Sequence, residues 1–587
     1  MSYFSDIVAL ADVVRNQQGI KKKLTLEEIV MYADIDSYTI ENDTTINSII
    51  DGTISDLSTE DTTPFSIPKD FFINNKNLTT VNCRGLKEVG VSSFGNCELT
   101  SFVAPDLEVV GESAFYSCEK LVEIECPNVT SLSTRSFAST GLTRIFLPKV
   151  NTVPPYCFYG AFSLAEADIE NLEEVELYGF CDTVLTQFPS NKIKKIGARG
   201  FAGTHITEVS SNILQEIGQG AFQYCENLQR VDLPNLTTLP DNGAFNHCTA
   251  LTEVNLPNYE IIPSETFAYT GLTSYPFDRV KFLRASSFAG TPLTEVSSSS
   301  IETIEANTFS GCTNLTKVNL PNCKNGNMEL SYTFSKCTSL AEVNLPEITS
   351  FGNFMFESCT SLSSIDLKNV TTYGASVFAN CTGLTSFTNF REDSILNGDK
   401  LFSGLSIIPQ LSSWENVTIG TGGIFQKMTA EELNFYGIDL NRQVSSFSLC
   451  SNLKKLKLIE SKGLNRLLQA NETPLDEVVL HVTDSPILNF TIFGSSSTTS
   501  IVDILKLDIK GFSSIANLGK TVKSLNTLII RDNSLISLSS SSAFNSSDLG
   551  TENGKIYVPS ALVSSYKTAT NWAQYADKIF AIEEMGE

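Results

Sequence analysis

Cysteine is the residue type in this sequence whose number and spacing could support chemistry. The chain of 587 residues contains fourteen cysteines and three histidines. A cysteine beside a histidine could be a nucleophile, paired cysteines could form disulfides, and mixed clusters could bind a metal ion. Eight cysteines stand three positions after a phenylalanine: Cys97, Cys118, Cys225, Cys248, Cys312, Cys337, Cys359 and Cys381. The role of this position separates an enzyme from a scaffold.

The histidines give no support to a catalytic or metal site. His205, His247 and His481 are widely separated, so each is expected to be a surface or loop residue. No CxxC or HxxxH spacing, the usual arrangement of zinc ligands, occurs in the chain. We therefore predict no catalytic residue, no metal site, no cofactor and no enzymatic activity.

The position three residues after phenylalanine also accepts threonine, at Thr140, Thr183, Thr204, Thr270 and Thr291. Cysteine and threonine share a small volume and a weak hydrogen-bond donor. A position that accepts either residue within one chain requires packing at a buried turn. We predict free, packed thiols in preference to disulfides.

The charge of the chain restricts its partners. A formal net charge of −25, from 41 basic and 66 acidic residues, opposes binding to nucleic acid. The N-terminus has acids at Asp6 and Asp12 and does not resemble a secretory signal peptide. No apolar stretch approaches 18 residues, so no membrane insertion is expected.

A repeat organises most of the sequence. Phenylalanines recur at intervals of 21 to 25 residues, at positions 72, 94, 115, 137, 158, 180, 201, 222, 245, 267, 288, 309, 334, 356, 378 and 402. This period indicates one supersecondary unit copied along the chain. The phenylalanine–cysteine signature stops after Phe402.

Each copy has the same order of segments, as in AFQYCENLQRVDLPN at 221–235. Leu228, Val231 and Leu233 alternate with polar residues at the period of a strand, and Pro234 ends that strand. A second short apolar stretch follows, for example LEVVG (107–111), LQEIG (214–218) or IETIE (301–305). One such coil cannot bury its own apolar residues, so we predict a β-rich solenoid of stacked parallel coils.

The sequence divides into four predicted regions. Residues 1–64 form a helical module with an acidic linker, residues 65–405 the regular repeats, residues 406–546 degenerate repeats, and residues 547–587 a C-terminal strand–helix cap. Strands are expected in the degenerate region at 452–458, 475–482, 502–509 and 525–530. The cap helix is expected to hold Trp572 and Tyr575.

The polar residue between the valine and leucine of each strand is the candidate ligand-binding position. We call this set the polar strip: Asn82, Glu125, Asp168, Asp232, Asn255, Asn319, Asn344 and Asp366. A row of such residues suits hydrogen bonding to an extended glycan or protein loop. The alternative is that these residues only keep an exposed sheet soluble.

The motif AFxxCxxLxxVxLP at this spacing resembles the BspA-type leucine-rich repeat. Residues 557–579 are similar to the segment that follows such arrays in bacterial and bacteriophage proteins. Residues 6–35 resemble a short helical module found at the start of many phage tail and virion proteins, with Arg15, Gly19 and KLTLEEI (23–29) matching and Val14 departing from it.

The two resemblances imply a leucine-rich-repeat fold and a place in a virion. The implied protein is a structural component of a phage tail or fibre. Its N-terminal module would contact other virion proteins, and its solenoid would bind a host cell-surface protein or glycan. A homo-oligomer remains possible. The alternative is a bacterial surface or secreted adhesin of the same repeat class.

Overall fold

The computed structural model describes residues 55–59, 62 and 64–586, except for 190, 325–329, 421, 442–446, 465–466, 469–474, 494–501, 517, 519–521 and 546. The predicted N-terminal helices lie outside these residues. The chain divides into two compact units, the first ending at Thr273 and the second starting at Ser274. None of the helices in the described ranges is long and apolar enough to cross a membrane.

Each coil of the first unit contributes up to two short strands, which form two rows of parallel strands. The first row contains β1 Asp56–Thr59, β3 Thr80–Cys83, β5 Ser101–Val103, β7 Glu123–Glu125, β9 Arg144–Phe146, β11 Glu166–Asp168, β14 Glu208–Ser210, β16 Arg230–Asp232 and β17 Glu253–Asn255. The second row contains β2 Phe65–Ile67, β4 Leu86–Val89, β6 Val109–Val110, β8 Ser131–Leu132, β10 Thr152–Val153, β12 Glu174–Val175, β13 Lys195–Ile196, β15 Glu216–Ile217 and β18 Ile261–Ile262.

The second unit repeats this arrangement and then lengthens its strands. Its first row contains β20 Glu295–Ser297, β22 Lys317–Asn319, β23 Glu342–Asn344, β25 Ser364–Asp366, β27 Ser386–Thr388, β30 Glu432–Tyr436, β31 Lys455–Ser461, β32 Leu475–Val482, β34 Ile504–Lys510, β36 Thr527–Ile530, β38 Lys555–Val558 and β39 Ile579–Ala581. Its second row contains β19 Phe282–Leu283, β21 Thr303–Ile304, β24 Ser350–Phe351, β26 Thr372–Tyr373, β28 Ile395–Leu396, β29 Thr418–Ile419, β33 Ile487–Asn489, β35 Ser514–Ala516 and β37 Ser537–Leu538.

The pairing within each unit is parallel and joins equivalent positions of consecutive coils. Val209 pairs with Val231 and Val231 with Val254 in the first unit. In the second unit, β30, β31, β32, β34, β36, β38 and β39 form one seven-stranded sheet. The predicted solenoid of stacked parallel coils is confirmed, and strands are present at all four segments named in the degenerate region.

Phenylalanine rings form a continuous column inside each unit. From Phe72 to Phe267, adjacent rings are 5.1–5.9 Å apart and nearly parallel. In the second unit the column runs from Phe288 to Phe447 at 5.4–6.5 Å. Burying one such ring contributes about 1.5–3 kcal/mol, and parallel displaced stacking adds about 0.5–1.5 kcal/mol.

The expectation that the phenylalanine–cysteine signature ends at Phe402 is wrong. Phe425 stacks on Phe402 at 5.8 Å, and Phe447 stacks on Phe425 at 5.4 Å. Cys450, three positions after Phe447, is buried like the other cysteines of this position. The signature was missed because the Phe425 coil carries Met428 where cysteine or threonine was expected.

Each phenylalanine sits in a tight turn between two left-handed residues. The residues two before and two after it have positive φ, as at Tyr178 (57°) and Asp182 (60°) around Phe180. Main-chain bonds then join the turns of adjacent coils, with Tyr178 N–H donating to Ala198 O and Asp182 N–H to Ala202 O. The side chains at both positions project from the turn face, which is the third face of each coil.

The C-terminal segment closes the second unit, but with a different structure from the predicted cap helix. Helix α1 spans Phe490–Phe493, and helix α2 spans Val563–Thr568, so α2 ends before Trp572. Tyr575 lies in the 3₁₀ helix Ala573–Lys578, and further 3₁₀ helices of this segment span Asp548–Gly550, Ser560–Leu562 and Ile582–Glu584. Strand β39 then follows, so β38 is not the last strand.

Aromatic side chains of this segment satisfy main-chain groups of the preceding coil. Trp572 Nε1 donates to Ile536 O at 2.8 Å, and Tyr566 OH accepts from Ile536 N–H at 2.9 Å. Tyr575 OH donates to Ser541 O at 2.8 Å. These contacts cover a coil that no further repeat covers.

Candidate functional site

The structure places the polar strip at the ends of first-row strands. Six of its members are exposed, whereas Asp232 and Asn319 are partly buried. Asn82 and Glu125 are separated by Val103 in the ladder, and Asp168 pairs with Phe146. The predicted row is therefore interrupted by apolar residues. Only two pairs of its members are direct neighbours, Asp232–Asn255 and Asn319–Asn344.

Neighbouring members of the strip hydrogen-bond to one another. Asn255 Nδ2 donates to Asp232 Oδ1 at 2.7 Å, and Asn344 Nδ2 donates to Asn319 Oδ1 at 2.7 Å. Asp366 accepts from Asn389 Nδ2 at 2.8 Å. These lateral bonds use part of the capacity that a ligand would need. Whether the strip binds anything stays a prediction.

Beside the polar strip, the first residues of the first-row strands carry alternating charges. Arg230 contacts Glu208 at 3.0 Å and Glu253 at 3.5 Å across the adjacent strands β14 and β17. Lys317 contacts Glu295 at 3.6 Å in the same way. Exposed pairs of this kind contribute little stability, about 0.2–1 kcal/mol each. The strand face is therefore covered in part by a network of paired charges.

The turn face of the first unit carries a different set of side chains, which we call the tyrosine–arginine track. Its members lie on seven consecutive coils: Arg135, Tyr156, Tyr178, Arg199, Tyr224, His247 and Tyr269. The first four stand two residues before a phenylalanine of the column, and the last three stand two residues after one. All seven have left-handed backbone conformation, with φ between 53° and 61°.

The first four members of the track form a stack. The Tyr156 and Tyr178 rings are 4.9 Å apart and nearly parallel. The guanidinium carbon of Arg135 lies 5.0 Å from the Tyr156 ring centre, and that of Arg199 lies 5.7 Å from the Tyr178 ring centre. Two cations therefore flank a pair of aromatic rings, an arrangement in which each cation is attracted to a ring face.

The stack forms one wall of a groove of about 860 Å³. Small residues of the intervening turns, including Ala138, Ala202 and Gly203, also line the groove. Gly203 has φ of +70°, and a Cβ atom there would lie 2.7 Å from Asp182 Oδ1, so a larger residue would be strained. Tyr116, Tyr159 and Tyr224 add exposed rings to the lining, and the Tyr159 ring meets those of Tyr156 and Tyr178 edge-on at 5.8 and 5.9 Å.

Sequence reasoning missed the groove. Its residues occupy positions near each phenylalanine where other coils carry serine, asparagine or glycine. Aligning the coils on phenylalanine would have shown tyrosine at 156 and 178 between arginine at 135 and 199. That alignment was applied only to the cysteine position and the strand residues.

The cysteines are packed as predicted. All fourteen are free thiols and all are buried. Each of the eight that follow phenylalanine places its Sγ 2.9–3.2 Å from the carbonyl oxygen of the phenylalanine in the preceding coil. Cys450 makes the same contact with Phe425 O at 3.2 Å. The thiols therefore bridge adjacent coils.

Threonine at this position makes a different contact. The hydroxyl groups of Thr140, Thr183, Thr204, Thr270 and Thr291 donate to the phenylalanine carbonyl of their own coil at 2.8–2.9 Å. Ser547 makes the same bond to Phe544 O at 2.8 Å, which identifies a further turn of this type. Where this position carries a donor, the residue type sets which carbonyl receives it, whereas Ala161, Leu405 and Met428 fill the position without one.

Burial raises the pKa of most of these thiols. At Cys225 burial acts in the same direction, but hydrogen bonds with Cys248 and Thr204 outweigh it and lower the pKa. Desolvation raises the pKa of Cys97 and Cys312 to about 11 and that of Cys118 and Cys126 to about 12. A nucleophilic cysteine requires the opposite change, a lowered pKa together with exposure. These thiols are therefore structural groups. No group of His, Cys, Asp and Glu within the described residues could hold a metal ion.

The histidines lie in three different settings. His205 is exposed, and His247 stacks between Tyr224 at 4.7 Å and Tyr269 at 4.5 Å on the turn face. His481 is not a simple surface residue, because it lies in β32 with its Nε2 3.1 Å from Asp508 Oδ1. The expectation of a surface or loop position is wrong for His481.

Asp508 is a buried charge held by two partners. It is 4% exposed and accepts three hydrogen bonds from Arg531 at 2.7–2.8 Å. Burial by itself would raise the pKa of Asp508, but the bonds from His481 and Arg531 outweigh burial and lower that pKa. Within the described part of the chain, the His481 ring has no serine or cysteine partner to activate.

These features together define a leucine-rich-repeat solenoid. A family model described as BspA type Leucine rich repeat region (6 copies) matches residues 33–107, 87–207, 173–294 and 281–397. The overlapping matches span more than half of the chain. The chain therefore belongs to the BspA-type leucine-rich-repeat family.

Several bacterial solved structures are similar to the chain. A leucine-rich repeat protein from Bacteroides ovatus matches 60% of this chain and 82% of its own, with 23% identity and a TM-score of 0.37. A leucine-rich repeat protein from Eubacterium ventriosum matches 54% and 85%, with 19% identity and a TM-score of 0.36. A leucine rich cell surface protein from Faecalibacterium prausnitzii matches 57% and 88%, with 18% identity and a TM-score of 0.31. No curated protein sequence matches significantly.

Substitutions at Cys118 test the requirement for a donor after phenylalanine. Cys118→Thr should change the stability of the first unit by less than about 1 kcal/mol, because the hydroxyl can donate to Phe115 O as other threonines do. Cys118→Val has a similar shape without a donor and should cost about 1 kcal/mol more. Hydrogen exchange of the amides in coils 94–140 measures both changes. Equal losses for threonine and valine would contradict the role of the donor.

Substitution of Arg531 tests the buried carboxylate. Arg531→Met should destabilise the second unit by about 2–3 kcal/mol at pH 7, less than a fully buried pair because the guanidinium is partly exposed. The lowered pKa of Asp508 means that its stabilisation is present above the unfolded carboxyl pKa of about 3.9 and is lost as pH falls through the folded value. The difference between wild type and variant should therefore stay constant from pH 7 to about pH 4 and shrink as the pH falls further.

Denaturation followed by the fluorescence of Trp414 and Trp572, both in the second unit, measures this difference. Arg391→Met is the matched control, because Arg391 lies in the same unit and makes an exposed salt bridge to Asp393, and it should cost at most about 1 kcal/mol. A difference for Arg531→Met that is small or independent of pH would contradict the assignment.

Proposed function

We propose that this chain is a non-enzymatic binding protein and a component of a virion, in a phage tail or fibre. In this proposal its solenoid binds a host cell-surface protein or glycan, and residues 1–64 attach it to other virion proteins. The alternative is a bacterial surface or secreted adhesin of the same repeat class.

The observation that carries the binding function is the cluster of exposed aromatic rings on the turn face of the first unit. Tyr116, Tyr159, Tyr224 and Phe162 are 45%, 38%, 48% and 72% exposed. Folded proteins rarely leave a group of large aromatic side chains in water unless the group contacts a partner. Binding to another molecule accounts for their exposure, whereas core packing does not.

The burial and bonding of the cysteines and of His481 favour a binding function over a catalytic one. All fourteen thiols are buried, and the one histidine next to a carboxylate is part of a bonded cluster with Arg531. A catalytic site needs a nucleophile or base within reach of a substrate. The exposed surfaces instead present phenol, amide and guanidinium groups, which recognise ligands by contact.

The virion assignment is supported by the N-terminal resemblance. Arg15, Gly19 and residues 23–29 match the helical module of phage tail and virion proteins. These residues lie outside those that the structure describes. The assignment therefore needs a test that does not depend on the solenoid.

Mass spectrometry of purified phage particles tests the virion assignment. We expect peptides of this chain in intact particles at a stoichiometry matching a tail or fibre protein. Particles from a phage that encodes the chain without residues 1–64 should not contain the protein. The truncated chain should still be folded, as measured by circular dichroism. Absence from particles, with the chain found on bacterial cells, would support the adhesin alternative.

Binding of the purified full chain to host cells tests the second part of the proposal. Saturable binding is expected, and Asp232→Ser with Asn255→Ser should weaken it if the polar strip contributes. Serine is compatible with the fold because Ser210 occupies the same row. The control is Gln215→Ser with Glu216→Ser, at strand β15 in the second row of strands. Absence of saturable binding would refute host binding, whereas normal binding by the strip variant would exclude only the strip.

A further inference from the structure

The main chain of the turn face has no free hydrogen-bonding edge for a peptide. Tyr156 N–H donates to Leu177 O, Phe158 N–H to Gly179 O, and Gly160 N–H to Cys181 O. The next coil continues the pattern from Tyr178, Phe180 and Asp182. A strand-like ligand that adds to a sheet edge needs unpaired main-chain groups. Recognition on this face must therefore use side chains.

The two guanidinium groups of the stack make no salt bridge to a described residue, unlike those of five other arginines. Within the described residues, salt bridges are made by Arg144, Arg230, Arg284, Arg391 and Arg531. Arg135 and Arg199 make none and contact tyrosine rings instead. In a chain of net charge −25, two cations without a carboxylate partner lie in one groove, whose lining includes the carboxylate of Asp182. Their free donors can bind an anionic group.

The tyrosines supply the second recognition element. Tyr156 and Tyr178 have their faces occupied within the stack, whereas Tyr116, Tyr159 and Tyr224 expose their rings. Desolvation, together with nearby Asp182, raises the pKa of Tyr159, so its hydroxyl is a donor at neutral pH. An aromatic face is electron-rich and attracts the polarised C–H groups of a sugar ring. Rings, phenols and guanidinium groups together fit an acidic sugar.

The repeat of the solenoid adds an argument from length. The track contributes one large side chain per coil on seven consecutive coils, and parallel coils are about 4.8 Å apart. That spacing is close to the length of one sugar unit in a polysaccharide. Successive sugars then meet equivalent positions of successive coils within each part of the track, as repeat proteins bind extended ligands. The first part runs from Arg135 to Arg199, two residues before phenylalanine, and the second runs from Tyr224 to Tyr269, two residues after it.

The residue choice at these positions is unfavourable for folding. A bulky residue is strained in left-handed conformation, and serine, asparagine or glycine occupies many equivalent turns. Seven consecutive large residues in this conformation are not explained by turn formation. Unfavourable conformations of this kind cluster at binding sites.

We propose that the tyrosine–arginine track and its groove bind an acidic polysaccharide, with Arg135 and Arg199 pairing with carboxylate or phosphate groups. This inference deepens the proposed function and rests on it only in that the solenoid binds a ligand. It does not depend on whether the protein is displayed on a virion or a cell. The site is separate from the polar strip, which lies on the strand face.

Calorimetric titration of the full chain tests the ligand class. The probes are oligogalacturonate, a mannose oligomer joined by phosphodiester groups, a neutral malto-oligosaccharide of similar length, and a polyglutamate peptide. We expect binding of at least one acidic saccharide, weakened by salt, and weak binding of the neutral saccharide and the peptide. The two acidic probes distinguish carboxylate from phosphate. No binding of either acidic saccharide, or tighter binding of the peptide, would overturn the proposal.

Variants of the track locate the binding. Arg135→Gln with Arg199→Gln should weaken binding of the acidic saccharide about tenfold, the loss expected on removing charge-assisted hydrogen bonds. Tyr178→Ser should also weaken it, because Arg199 loses its ring support. The controls are Arg144→Gln with Arg230→Gln on the strand face, and Tyr332→Ser, which removes a tyrosine stacked on Phe354 in the second unit. Equal effects of track and control variants would overturn the proposal.

Host-cell binding separates this inference from the proposed function. Binding to the acidic saccharide without binding to host cells would refute host binding and leave the track in place. Cell binding that survives both track variants would refute the role of the track and leave host binding in place. Circular dichroism of each variant confirms that the solenoid is folded.

Discussion

The stacking of one phenylalanine on the next depends on main-chain hydrogen bonds that join identical positions of adjacent coils. Each turn places a left-handed residue on either side of its phenylalanine, and the N–H groups of this turn donate to carbonyls of the following coil. This geometry brings the rings to 5.1–5.9 Å in the first unit. A coil of another length must put its extra residues elsewhere, since the turn cannot absorb them without breaking the column.

Because of that constraint, residues at the same position of successive repeats form rows on the three faces of the solenoid. The cysteine position becomes a column of buried donors, the strand positions become rows of amides and paired charges, and the turn positions become the tyrosine–arginine track. The same main-chain bonds that fix the rows also leave no main-chain groups available on the turn face. Specificity must then come from the side chains that vary between coils, while the column varies little.

The sequence allowed the fold to be predicted because the column and the strands need particular residues. Phenylalanine, leucine and valine are required wherever the core is filled, so their period is visible over the regular repeats. The prediction failed at Phe425 and Phe447 because the accompanying cysteine position was used as the marker, and Met428 occupies it in one coil. It also failed at Trp572, where hydrogen bonds to the preceding coil, rather than helical propensity, set the backbone.

The candidate sites were harder to predict for a physical reason. The polar strip was selected by residue type, and this selection passed over Val103 and Phe146, which the ladder places between or beside its members. The groove depends on which side chains become neighbours across coils, and such neighbours are 21 or 22 residues apart in the sequence. These neighbours can be identified from the sequence only when the register of adjacent coils is known.

The choice between cysteine and threonine shows how much the fold tolerates at one position. A thiol reaches the carbonyl of the preceding coil, whereas a hydroxyl reaches the carbonyl of its own coil. Where Thr204 precedes Cys225, both side chains donate to Phe201 O, at 2.8 and 3.1 Å, so one carbonyl is shared. The backbone at this position therefore accepts either donor.

The turn face differs from the core in this respect. Tyr156 and Tyr178 occupy positions where a small residue would suffice for the turn. The proposed binding of an acidic ligand gives a reason for these residues that turn formation does not.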